Sequence, residues 1–213
     1  MIASNALRVL VPGLLLPLLM RHAGGWAVIT VDDLPDLAEA GKPVALSYMV
    51  RQHGMTPLDR LNGEIEATSG KLTARGSVGP LPSSRGHYTA SITLPSAGEW
   101  SITIRSGFGK SDLTLLPLTV VPTGAGLARP VSDVDRGRRL FVAKGCETCH
   151  VQIEVGPKLD GKRFDSTYIA SFLANPTPPQ PGKPAMPNLG LQQREIASLV
   201  AYLNGTRMVG ARN

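Results

Sequence analysis

Both cysteines of the chain fall within one five-residue stretch, Cys146-Glu147-Thr148-Cys149-His150, with a histidine directly after the second thiol. Two thiols three positions apart can each add to one of the two vinyl groups on a single porphyrin edge. A histidine that follows at once is then held beneath the iron as an axial ligand. The stretch therefore reads as a c-type haem attachment site, with Cys146 and Cys149 as anchors and His150 as the proximal ligand. Half a zinc site would need two more thiolate or imidazole ligands at short spacing. The chain has no further cysteine and no histidine after His150. A thioredoxin-like pair belongs to a βαβ unit, and a disulfide across two intervening residues closes a small, strained loop.

The 213 residues suit one large or two small domains. The net charge of +6 is uneven: nine basic and nine acidic groups in residues 28–130, eleven basic and seven acidic in 131–213. The excess around the haem motif suits an acidic partner or surface. Nucleic acid is not an expected partner, because no run of interleaved basic and aromatic residues occurs.

Near the start, Arg8 precedes an apolar run of twelve residues, 9–20. A membrane-spanning helix needs about 20. Small residues follow, and Gly25-x-Ala27 has the form of a signal cleavage site. Residues 1–27 are thus read as an export signal, with an uncleaved anchor as the alternative because Arg21 and His22 intervene. Export agrees with haem c attachment outside the cytoplasm and places the chain in the periplasm or on an extracytoplasmic membrane face.

Residues 28–122 alternate with period two. Val44, Leu46, Tyr48 and Val50 share one face; Tyr88, Ala90, Ile92 and Leu94 repeat the pattern, as do Trp100, Ile102 and Ile104. Residues 28–31, 65–68, 71–74 and 113–121 read as further strands, divided by Gly, Pro and Ser turns. Six or seven short strands with one apolar face each predict two packed sheets, with Pro117 breaking the last strand or holding it at an edge. The segments VALSYMVRQHGMTPL and GHYTASITLPSAGEWSITI, in that order, resemble the immunoglobulin-like β-sandwich domains of the YtkA-like and FixH-like kind. That resemblance implies an exported domain linked to copper handling or to respiratory complexes. Met49, His53 and Met55, with His87 as a further candidate, carry side chains that suit copper(I). The alternative is ordinary packing methionines and a loop histidine in a domain that only docks.

Residues 123–130 are small, Gly-rich and Pro-bounded, a linker. Ser132 with Asp135 approximates a capping box for a helix over 133–144, stopped by Gly145. Val134, Gly137, Leu140 and Phe141 make its inner face; Arg136, Arg138 and Arg139 lie largely outside. Gly137 costs about 1 kcal/mol relative to Ala within a helix, and another backbone approaching there would account for it. Further helices are predicted over 166–174 and 191–203, the last with Ile196, Leu199, Val200 and Leu203 at helical spacing. Between them, six prolines from Pro176 to Pro187 restrict the backbone around Met186. After the motif only Met186, Met208, lysines and a water of the haem pocket itself are left to approach the iron from the other side. Met208 lies past the last helix, so Met186 is read as the distal ligand, against the alternative of a core methionine.

Residues 131–205 resemble a single-haem class I cytochrome c: a first helix ending in the haem motif, GPKL shortly after it, a methionine before the last helix, and VAYL at that helix's end. The resemblance implies one covalent haem c and a close crossing of the first and last helices, Gly137 and Phe141 against Leu199 and Tyr202 or Leu203. It also implies that the Pro157 carbonyl accepts the second N–H of His150. The expected chain is multi-domain, all-β then all-α: an immunoglobulin-like β-sandwich over 28–122, then a cytochrome c helical domain over 131–213. Ligation by His150 and Met186 closes both axial positions, which implies one-electron exchange with redox protein partners or a membrane electron-transfer complex, and no enzyme activity. Membrane contact would be indirect or through an uncleaved N-terminal segment. The alternatives are a haem catalytic subunit for peroxide or sulfur oxidation, and a copper-handling protein with haem as its electron source.

Overall fold

The computed structural model describes residues 25–126, 131–159, 162, 164–176 and 185–205. The export-signal reading over 1–24, linker residues 127–130, the proline-rich residues 177–184 and Met208 lie outside the described residues.

Among the described residues the chain is all-β to Val121 and helical from Asp133 onward. One sheet runs β1 (Ala27–Val31), β3 (Pro43–Gln52), β8 (His87–Thr93), β7 (Ser77–Pro80), with β4 (Thr56–Pro57) on β3. The other runs β2 (Leu37–Glu39), β11 (Leu118–Val121), β9 (Gly98–Arg105), β5 (Glu64–Ser69), β6 (Leu72–Arg75), with β10 (Asp112–Thr114) on β9. Their inner faces share one core, in which Tyr48, Tyr88, Ile65, Ile92 and Trp100 are almost fully buried. Trp100 meets the cost of burying its indole N–H by donating to the Ser96 carbonyl at 2.9 Å. The expected last strand is two strands, β10 and β11, both on β9, and Pro117 falls in the gap. The short β2, β4 and β7 have no counterpart in the period-two reading, because two to four residues are too few to show alternation.

The helices are α1 (Asp133–Ala143), α2 (Ser166–Ala174) and α3 (Gln193–Gly205), with a π-type turn at Thr148–Gln152 after α1. Ser132 Oγ accepts the Asp135 N–H at 3.1 Å and donates to the Asp135 carboxylate at 2.7 Å. Asp165 caps α2 through the Tyr168 N–H at 2.8 Å. The last helix starts at Gln193, two residues later than the apolar stripe suggests, where the Glu195 carboxylate accepts the Gln192 N–H. Helices α1 and α3 cross so closely that a Cβ on Gly137 would sit 1.9 Å from the Ser198 carbonyl oxygen. Phe141 stacks obliquely on Tyr202, ring centroids 5.5 Å apart.

Two readings of α1 are corrected. Val134 is exposed rather than buried, since its neighbour on α3 is Gly205 at that helix's end, which has no side chain to cover it. Arg136 and Arg139 are largely buried, their side chains 12% exposed, because the loop after β1 lies on that face. Arg136 pairs with the Asp36 carboxylate, and Arg139 donates to the carbonyls of Pro35 and Asp36. Lys144, 4% exposed, donates to the Asp32 carbonyl at 2.6 Å and pairs with Glu195 at 2.8 Å. Ala143 joins the sandwich core itself. Strand β1 is consequently buried on both faces, Ala27, Ile29 and Val31 inward and Val28 and Thr30 beneath the helical part.

Gly137→Ala is expected to destabilise the chain by about 1–3 kcal/mol through overpacking, read as a lower midpoint in denaturant unfolding followed by far-UV circular dichroism. Lys144→Met leaves the Glu195 carboxylate without its buried partner and should cost about 3–5 kcal/mol in the same assay.

Candidate functional site

The site is built where α1 ends. Gly145 has φ +72, a left-handed conformation that glycine adopts without strain, and turns the chain out of the helix. There is also no room for a side chain: a Cβ would lie 2.3 Å from Val28 Cγ1 and 2.9 Å from the Ile29 carbonyl oxygen. The next residue is Cys146, and the π-type turn that follows carries Cys149 and His150.

His150 Nδ1 lies 2.8 Å from the Pro157 carbonyl oxygen. A carbonyl only accepts, so Nδ1 bears the hydrogen and Nε2 keeps its lone pair free for an electrophile. Such a bond orients the ring. Gly156 packs against the imidazole so tightly that a Cβ there would sit 2.7 Å from Nδ1. Its N–H donates to the Cys149 carbonyl at 2.9 Å, tying the returning loop to the motif.

His150, Pro157, Cys146 and Met186 line one apolar cavity of about 210 Å³, completed by Phe164 and by α2 and α3 side chains such as Ile169 and Leu199. A smaller cleft brings Cys149 together with His150 and Met186, and adds Val28, Thr30 and Gly54 from the sandwich. The five residues singled out for haem in the sequence thus converge on one place. Sequence reasoning missed the sandwich residues, and no local signal marks them.

Both thiols are free. Burial pushes the Cys146 thiol up to about 12, with Cys149 beside it adding to the effect, and burial raises Cys149 too. Among the described residues no group of three or more His, Cys, Asp or Glu side chains is arranged to hold a metal ion. An apolar cleft with a histidine whose Nε2 is free, a methionine and two neighbouring thiols fits a covalently attached haem.

The candidate copper residues fall in two places, the β3–β4 turn and the paired strands β3 and β8. His53 and Met55 are at the β3–β4 turn, where the His53 ring lies 5.3 Å from that of Trp26 and Met55 is half exposed. Met49 lies on β3, directly opposite Thr30 on β1 and His87 on β8. His87 is engaged by Ser84 Oγ at 2.7 Å.

Residues 132–203 match the family model described as cytochrome C oxidase, cbb3-type, subunit III. This stretch is a c-type cytochrome domain, which implies haem c as its cofactor. No curated protein matches the chain. Among solved structures the chain is similar to the Lin-41 filamin domain, at 14% identity over 45% of this chain and 91% of that one, TM-score 0.36. It is also similar to domains 4 and 5 of the S-layer protein SbsC, at 24% identity over 44% of this chain and 50% of that one, TM-score 0.32. The ZirS C-terminal domain is 15% identical over 56% of this chain and 87% of its own, TM-score 0.31. Each is a weak likeness and identifies neither an activity nor a partner.

Gly156→Ala is expected to push the His150 ring off the Pro157 carbonyl. The purified protein should then carry less haem per chain, measured as the ratio of haem to polypeptide absorbance.

Proposed function

We propose that the chain is an exported carrier of single electrons, with one haem c anchored by Cys146 and Cys149 and ligated by His150 and Met186. The observation that supports this most is the shared cavity: a histidine with a free Nε2 and a methionine line the same apolar space as an anchoring cysteine. Haem supplies the one-electron Fe(III)/Fe(II) exchange when bound. The chain's own residues then have three tasks. His150, oriented by Pro157, would hold the haem iron through Nε2. Met186 would hold it through its thioether sulfur, which would favour the reduced state and raise the potential. Phe164, Ile169 and Leu199 exclude water.

With the iron held by both His150 and Met186, small molecules would be shut out and electrons would not. That separates a carrier from a peroxidase or a sulfur-oxidising subunit. The natural donors and acceptors are redox proteins on the extracytoplasmic side, in solution or as parts of a membrane complex. No helix among the described residues is long and apolar enough to cross a membrane.

Carbon monoxide added to the reduced wild-type protein should leave its visible spectrum unchanged, whereas reduced Met186→Ala should bind it readily and show a lower midpoint potential. Rapid binding by the wild type would overturn the carrier reading in favour of a catalytic site.

A further inference from the structure

We infer that the β-sandwich is a wall of the haem site: Val28 and Thr30 of β1 and Gly54 of the β3–β4 turn close the side of the cleft where Cys146 and Cys149 stand. This rests on the haem reading above and adds a role for the strands that the carrier function alone does not require. Val28 is 6% and Thr30 3% exposed, yet neither belongs to the core between the sheets. Both line the small cleft with Gly54, Cys146, Cys149 and Met186. A Cβ on Gly54 would lie 4.0 Å from Cys149 Sγ and 3.8 Å from Val28 Cγ2, so the turn stands within van der Waals reach of the second thiol. The seating is built rather than incidental, since Gly145 has no room for a Cβ against β1 and the Arg136, Arg139 and Lys144 side chains all end on the loop after it. By contrast, a second mouth lined by His150, Val151, Lys158 and Tyr202 receives no sandwich residue. A domain that served only to engage an outside protein would leave the thiol side open. Here it keeps water from that side, and lowering the local dielectric around a redox site moves its potential toward the less charged, reduced state.

The test uses the full-length, haem-loaded protein. Gly54→Asp puts a carboxylate beside Cys149 in a left-handed position that Asp tolerates better than most residues, and Asp36→Ala removes the carboxylate that pairs with Arg136. Each should lower the midpoint potential in a redox titration while the visible spectrum is retained. Asp36→Ala should also speed amide hydrogen exchange in residues 28–30. Leu72→Asp, on β6 of the other sheet and half exposed, is the control and should leave the potential where it was. Unchanged potentials in both Gly54→Asp and Asp36→Ala, or a shift of equal size in Leu72→Asp, overturn the wall. A wild-type protein that attaches no haem overturns the carrier reading instead.

Discussion

One buried ammonium group holds the architecture together. Lys144 stands at the C-terminal end of α1, where a cation meets the negative end of the helix dipole. Its Nζ reaches the Asp32 carbonyl in the loop after β1 and the Glu195 carboxylate in the first turn of α3. An ammonium removed from water is tolerated only with such partners. The contacts therefore act together: losing one would leave a charge or a carbonyl stranded. Because Gly145 and Cys146 follow directly, the group that joins sandwich to helices also determines where the first thiol stands relative to β1.

The rest of the site follows from close approaches that allow no side chain. Gly137 lets α1 and α3 touch backbone to backbone, Gly145 lets the motif begin against β1, and Gly156 lets the return loop pass beneath the His150 ring. Each omitted methyl group draws two segments to a separation that larger residues forbid. The cavity they enclose is apolar and has a single histidine, oriented through one hydrogen bond, and a single methionine. Such a space suits a cofactor that changes charge by one unit while its surroundings stay still.

Much of this was legible in the chain. Cys146, Cys149 and His150 are adjacent, so their joint chemistry needs no fold to reveal it. Gly137 inside a helix announced a close crossing, and the structure has one there. Strands of seven or more residues, such as those holding Tyr48, Tyr88 and Trp100, showed their alternation. The failures have a common cause. Arg136 and Arg139 have the composition of a solvated face and became an interface because Asp36, a hundred or more residues earlier, lies over them.

What the sequence determined by itself is local: which residues can carry a porphyrin, where helices begin under Ser132 and Asp165, and which long segments are strands. These depend on covalent spacing, capping and periodicity, all of which act within a few residues. That Val28, Thr30 and Gly54 stand beside the haem cysteines was decided only by the tertiary structure. Their position results from two separately folded surfaces being brought together, and no period or motif in either segment records which surface will meet it.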